Sequence, residues 1–237
     1  MEESKKIKLH NNKKPLILSY SDEDDFEQYI FRVIAAYRIG FKNEYSELIF
    51  GIDPGIKHIG LIIFLDGYYL KSQTFFERDR VIKSITNYAE YLQNRDKKLI
   101  KLHLKFGRGD ISTTVELVEK LFKNFENRDK LKVSIIDEAF TSKIKVHYNN
   151  KKFPKHEASA LILALREGIE VNQNNYMKTI KQFKSSNLNK RNLKMENKAK
   201  IYETMETLSE LAERILKGEV SISSSLQILN EIELNNN

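Results

Sequence analysis

The chain contains no cysteine. That single absence removes disulfide frameworks, thiolate catalysis, cysteine-rich zinc sites and iron–sulfur clusters. Long apolar runs are missing as well: none approaches the roughly 18 uninterrupted apolar residues of a membrane span. The opening stretch from Met1 to Lys8 is charged and carries no apolar signal-peptide core, so a secretory route is not expected. No internal repeat of solenoid period is present. The expectation is a cytoplasmic protein without a membrane partner, its metal chemistry restricted to hard-cation or histidine sites.

What is present suffices for a core. Of 237 residues, 41% are hydrophobic and 31% charged, which excludes wholesale disorder and suits one domain with additions. Forty Lys and Arg against 33 Asp and Glu leave a net charge of +7. The excess is uneven. Residues 171–200 hold seven lysines and Arg191 against Glu196, whereas residues 201–237 hold seven glutamates against Arg214 and Lys217. A second basic cluster, Lys143, Lys145, Lys151, Lys152 and Lys155, lies in a stretch with no acid from Ala139 to Lys155. Such clusters suit a polyanion, or form a solvated lysine-rich surface.

Ser21-Asp22-Glu23-Asp24 reads as a helix cap, and Phe26, Tyr29, Ile30, Val33, Ile34 and Tyr37 then repeat at helical spacing up to Gly40. From Glu47 the period changes. Leu48 to Asp53, Ile59 to Leu65 and Tyr68 to Phe76 read as a three-stranded meander, with Asp66-Gly67 as its hairpin turn. A helix over about Asp79 to Arg95 follows, then a strand over Leu99 to Phe106. A helix capped at Ser112 or Thr113, a strand over Leu131 to Ile136 and a helix over Glu157 to Ile169 complete the set. The order βββαβαβα predicts an α/β fold: a mixed five-stranded sheet, the meander joined to two strands reached by helical crossovers. Three regions result: an N-terminal extension with one helix over 1–46, the main domain over 47–171, and a basic linker with C-terminal helices over 172–237. The linker is expected to be loose as far as Glu196. Beyond it, Ile201, Met205, Leu208, Ala212 and Ile215 mark an amphipathic helix ending at Gly218, and Leu226 to Ile232 a shorter one. Both either dock on the core or pair with a second copy.

Acids stand at the ends of these elements. Asp53 ends the first strand, Asp137 and Glu138 follow the fifth, and His156-Glu157 opens the last helix. Neighbouring strand ends converge in such sheets, and carboxylates brought that close repel unless a divalent cation offsets them. Oxygen ligands select Mg²⁺ or Mn²⁺, and a histidine is compatible with Mn²⁺. Each residue also has an ordinary explanation, as a turn residue, a loop start or a helix cap.

Gly51-Ile52-Asp53-Pro54-Gly55-Ile56-Lys57-His58-Ile59-Gly60 resembles the opening of the RuvC/YqgF-like branch of the RNase H fold. Ile136-Asp137-Glu138-Ala139-Phe140-Thr141-Ser142 is similar to the Asp-Glu-Arg-Leu-Thr-Thr segment of the YqgF type. Lys155-His156-Glu157-Ala158-Ser159-Ala160-Leu161 resembles the last-helix pattern Asp-Ala-Ala-Asp-Ala-Leu-Ala of RuvC. The resemblance spans roughly Glu47 to Val171. It implies an RNase H-like fold and a two-metal endonuclease resolving four-way DNA junctions as a homodimer, with the N-terminal or C-terminal helices as natural places for the dimer contact. DNA recombination and repair would be its setting. Under it, Asp53 matches the acid bridging two Mg²⁺ or Mn²⁺ ions, Glu138 the central acid with Asp137 as a neighbouring substitute, and His156 the first ligand of the last helix. Ser159 departs from the pattern where the family has its final Asp, and Glu157 is the replacement at hand, although the helix turns it about 100° away.

Lys57, Lys105 and Arg108, with Lys143, Lys145, Lys151, Lys152 and Lys155, are the expected phosphate contacts. Gly107 and Gly109 would let a backbone approach, or simply shape a tight turn. Phe106, Tyr148 and Phe153 are possible base-stacking residues. Two alternatives stay open: a YqgF-like nuclease on structured or ribosomal precursor RNA, and a nucleic-acid-binding module with an inactive site. The actin-like ATPases share the Gly-Ile-Asp-x-Gly turn, but the chain is too short for their duplicated architecture and lacks a second phosphate loop.

Overall fold

Alternation along the first strand sets the layout. In β1 (Glu47–Pro54), Leu48, Phe50 and Ile52 point into one apolar core, while Ile49 points into another on the opposite face. Gly51 and Asp53 share the second face by the same period of two. The computed structural model describes residues 18–21, 25–40, 42, 45–91, 100–126, 129–138, 141–182 and 198–235.

β1 pairs antiparallel with β2 (Ile59–Leu65), which pairs antiparallel with β3 (Tyr68–Phe75). Asp66 and Gly67, at φ 48° and 83°, make the hairpin turn expected from their sequence. On its other side β1 runs parallel to β4 (Lys101–Gly107), and β4 parallel to β5 (Leu131–Ile136). The strand order 3-2-1-4-5 holds the predicted mixed sheet, a meander joined to two strands reached by helical crossovers. A sixth strand extends the predicted five: β8 (Ile169–Val171) pairs antiparallel with β5. The sequence placed Ile169 inside the last helix. That helix, α4 (Lys155–Ala164), ends earlier, and buried Lys105 donates from Nζ to the Ala164 carbonyl at 2.5 Å, satisfying an acceptor of its last turn. A separate hairpin joins β6 (His147–Tyr148) and β7 (Lys151–Lys152).

The first core lies under α1 (Phe26–Ile39), α2 (Arg78–Tyr91) and α3 (Ile111–Asn124). The cap of α1 is Asp25, which accepts from Gln28 N at 2.8 Å; residues 22–24 lie outside the described set, as do 92–99 beyond α2. The cap of α3 is Asp110, two residues before the predicted Ser112. Helix α5 (176–182) buries Ile180 in the same core, so this part of the linker is ordered, contrary to expectation. Residues 183–197, the rest of the basic tail, lie outside the described set.

The second core lies between the sheet, α4 and α6 (Lys198–Lys217), which buries Leu208, Leu211, Ala212, Ile215 and Leu216. Each large apolar side chain so buried contributes about 1.5–3 kcal/mol. Docking on the chain's own core is therefore what the apolar stripe of α6 does. Helix α7 (Ile222–Asn235) starts where Ile222 N donates to Gly67 O at 2.8 Å. Arg38 ties the two extensions together: it donates to Leu216 O and Tyr148 Oη, each at 3.2 Å, with its guanidinium over the Tyr69 ring.

Helix α4 rests directly on strand backbone. A Cβ on Gly51 would stand 2.4 Å from Ala160 O, and one on Gly60 would stand 2.0 Å from His156 O. These two glycines let α4 cross β1 and β2 closely enough to bring its first turn over Asp53.

Candidate active site

Because β1, β4 and β5 run parallel, their carboxyl ends share one edge of the sheet, and the predicted acids gather there. Asp53 projects from β1 on the face covered by α4. Its Oδ2 lies 3.1 Å from His156 Nδ1, at the start of α4. Burial raises the proton affinity of Asp53, while His156 and Lys155 oppose the shift.

Glu138 follows β5. Its Oε1 accepts from Gly109 N at 2.6 Å. Burial first, and then the negative charge of Asp53, push its pKa up to about 7, against the Gly109 hydrogen bond and the Arg108 charge. The two acids are thus close enough to repel. Among the described residues, Asp53 Oδ1 and Glu138 Oε2 accept no hydrogen bond, which leaves each acid an oxygen for a cation.

Gly107 and Gly109 stand where side chains would collide with the site. A Cβ on Gly107 would stand 2.0 Å from Glu138 Oε1, and one on Gly109 would stand 2.5 Å from Pro54 O. The pair makes room for the carboxylate and for the crossing to β1, where Asp110 N donates to Pro54 O at 3.0 Å. Asp137 holds its backbone carbonyl to Arg166 Nη1 at 2.8 Å. Arg166, unremarked in the sequence, is a half-buried cation beside Asp137 and Glu138; burial lowers its pKa and the charges of those two acids hold it up. An arginine just beyond a helix end gave no pattern by which to find it.

Two residues sit away from their expected places. Glu157 turns to β3, where its carboxylate accepts from Ser72 Oγ and from Thr74 Oγ1, so it does not stand in for the missing acid. Lys105 is 5% exposed and spent on Ala164 O, so it cannot meet phosphate. Both follow from geometry: one residue along a helix is a rotation of about 100°, and the polar side of β4 is roofed by α4. Ser159 is buried on α4 at 4% exposure. Phe106 and Phe153 belong to the core, and Tyr148 binds Arg38.

His58 stacks on His156, ring centroids 5.1 Å apart and 19° between planes, and meets Phe76 edge-on at 5.1 Å. Among the described residues, no three His, Asp or Glu side chains cluster tightly enough to hold a metal by themselves.

Beside this edge, Lys143, Lys145, Lys152 and Lys155 line a cleft of about 420 Å³ floored by Ile144, Val146, Phe153 and Ala158. Exposed lysines alternate with buried Ile144 and Val146, an extended pattern that turns the charges outward together. Lys151 is exposed on β7 outside that lining, Lys57 is exposed on the turn after β1, and Arg108 is half-buried beside Glu138. Ala139 and Phe140 lie outside the described residues.

Solved structures of RuvC are similar to this chain. Thermus thermophilus RuvC in complex with a Holliday junction substrate matches at 12% identity and TM-score 0.30, covering 48% of this chain and 88% of that one. Another structure of Thermus thermophilus RuvC matches at 11% identity and TM-score 0.27, covering 56% and 88%. No protein-family model and no curated protein matches the sequence.

The donor set at the edge suits a hard cation. Mg²⁺ is commonly held by one or two carboxylates, with waters and substrate phosphate completing the shell; Asp53 and Glu138 are the residues at this edge that could hold it. A second ion would rest on His156 without a further acid, since Ser159 and Glu157 supply none. No described helix is long and apolar enough to cross a membrane.

Proposed function

We propose that the chain is a divalent-metal-dependent endonuclease that hydrolyses phosphodiesters in branched DNA. One observation carries the reading: two half-buried carboxylates, Asp53 and Glu138, at the ends of separate strands and mutually repelling, stand beside a lysine-lined cleft. Lys155 belongs to both, lining the cleft and acting on Asp53.

In this reading Asp53 and Glu138 hold Mg²⁺ or Mn²⁺ against the scissile phosphate. The cation, when bound, polarises the phosphoryl oxygen and lowers the pKa of an attacking water. His156 Nδ1 fixes the Asp53 carboxylate, leaving Nε2 to assist as a further ligand or as a proton acceptor. Arg108 offsets charge developing on the phosphate next to Glu138, and Lys57, Lys143, Lys145, Lys152 and Lys155 hold the strand on either side. Hydrolysis leaves a 5′-phosphate and a 3′-hydroxyl. Paired cuts at a four-way junction require two sites and hence a two-fold dimer; with the stripe of α6 occupied, the outer side of α1, where Phe26, Ile30 and Tyr37 are exposed, offers apolar surface for it.

A second reading is a nucleic-acid-binding module without activity. It is favoured by Ser159, a buried hydroxyl where the resemblance calls for an acid. The test is cleavage of four-way DNA junctions, linear DNA and structured RNA with Mg²⁺ or Mn²⁺, comparing the wild type with Asp53→Asn while binding is followed in EDTA. Metal-dependent cuts in junctions, lost in Asp53→Asn with binding retained, support the nuclease. Cuts in RNA alone transfer the site to an RNA substrate, and binding with no cleavage of any substrate supports the module.

A further inference from the structure

The ring stack beginning at His156 does not stop inside the site. From Asp53 it passes through His156 and His58 to Phe76, which is 74% exposed at the end of β3. Ile56, 75% exposed, stands on the same turn as His58, a turn closed by Gly55 N donating to His58 O at 3.1 Å. A large phenyl ring and an isoleucine held in water this close to a pair of catalytic-type acids call for a flat, partly apolar ligand.

We infer that Phe76 and Ile56 form a shelf on which one unpaired nucleobase stacks while its phosphate lies at Asp53. This rests on the nuclease reading and narrows its substrate. Three contacts link Asp53 to the shelf: 3.1 Å to His156, 5.1 Å from His156 to His58 and 5.1 Å from His58 to Phe76. The charges suit the occupant as well: Lys57, between Ile56 and His58, is exposed for a neighbouring phosphate, and Lys155 lies on the other flank of Asp53. A base inside a continuous duplex has both faces covered and cannot use such a shelf; a base at a branch point or in a single strand can. Stacking on an aromatic side chain tolerates any base, because every base has a π face. The shelf therefore selects unpaired structure at the cut and not sequence.

The test is fluorescence anisotropy in EDTA, with a labelled single strand and the same labelled strand annealed to its full complement, on the wild type, Phe76→Ala and Phe76→Tyr. The expected result is that Phe76→Ala weakens binding of the single strand about tenfold, leaves binding of the duplex unchanged, and that Phe76→Tyr retains wild-type affinity. Phe76 is a surface residue, and thermal melting of both variants checks that the fold is intact. Equal loss on both probes, or no loss on either, overturns the shelf, and the latter outcome assigns the exposed ring to a protein partner instead. Because no metal is present, these outcomes are independent of the cleavage assay on Asp53→Asn, so the shelf and the nuclease reading fail separately.

Discussion

Gly60 lies beneath the carbonyl oxygen of His156, so close that a Cβ at Gly60 would stand 2.0 Å from it. Gly60 is also the cross-strand partner of Asp53. A single backbone contact thus fixes the height of α4 above the sheet and the separation of His156 from Asp53. The atom in the way is main chain and cannot rotate aside. Gly60→Ala should lift the first turn of α4 at a cost of about 3 kcal/mol, a fall in melting temperature on the order of 5–10 °C for a chain of this size. Thermal denaturation measures it; an unchanged melting temperature would show that α4 is not seated there.

Gly107 makes the corresponding prediction for Glu138. A methyl group at position 107 would meet the carboxylate oxygen that Gly109 N–H holds, and Leu163 Cδ1 at 2.7 Å. Side chains can give where main chain cannot, so Gly107→Ala should cost less stability than Gly60→Ala. Its effect should fall on the position of Glu138: cleavage down about a hundredfold, as when a catalytic group is displaced by an ångström, with nucleic-acid affinity in EDTA unchanged. Equal losses of affinity and cleavage would place Gly107 at a nucleic-acid contact instead.

His103 should dominate the acid limb of stability. It is held neutral on β4, where burial first, then the charges of Lys105, Lys132 and Lys101, bring its pKa down to about 3, and its Nε2 pairs with Ser134 Oγ at 3.0 Å. Between pH 3 and the ordinary histidine value of about 6.5 the unfolded chain binds a proton that the folded chain refuses. Stability therefore rises with pH across that window and falls on acidification, on the order of 1 kcal/mol per pH unit. Urea denaturation at several pH values should show this slope in the wild type and a flatter one in His103→Gln. Parallel slopes would mean that other groups govern the acid transition.

How far the sequence disclosed this site depends on which geometric rule each residue obeys. Asp53, Glu138 and His156 are placed by strand ends and a helix start, which a pattern of apolar periods reveals, so their meeting at one edge was legible. Glu157 was not, because its fate turns on a rotation of one helical step toward Ser72 and Thr74. The alternation Leu102, His103, Leu104, Lys105, Phe106 reads as a half-exposed strand; only the closure of α4 over its polar side buries Lys105. Phe76 and Arg166 are placed by contacts between distant elements, for which a single sequence carries no signal, and the stacking of His58 on His156 is of the same kind. The Asp66-Gly67 turn lay at the other extreme, since its chemistry is local and complete.

The lysine cleft should reveal itself through salt. If Lys145 and Lys152 contact phosphate, each neutralisation releases fewer counterions when nucleic acid binds, and the slope of log affinity against log salt should shrink by about one for each of Lys145→Ala and Lys152→Ala. Lys151→Ala, outside the lining of the cleft, should leave the slope nearly as it was. Three equal changes would indicate a diffuse positive surface and not a defined track.

The lysine track is itself held from outside the sheet. Ser209 Oγ on α6 donates to the Lys145 carbonyl at 2.5 Å, and one helical turn later Glu213 Oε1 accepts from His147 N at 3.0 Å, with His147 Nδ1 3.4 Å from the same oxygen. Neither contact involves a lysine side chain, so removing both takes no charge from the cleft. The apolar side of α6, from Leu208 to Leu216, stays buried and keeps the helix docked. The double variant Ser209→Ala, Glu213→Ala should therefore keep its melting temperature within a few degrees, since exposed hydrogen bonds contribute about 1 kcal/mol each. Its nucleic-acid affinity should nevertheless fall several-fold, because a loosened segment must be ordered on binding, while the salt slope stays at the wild-type value. A reduced slope would show that the lysines themselves had moved out of contact. Unchanged affinity would show that the track needs no support from α6.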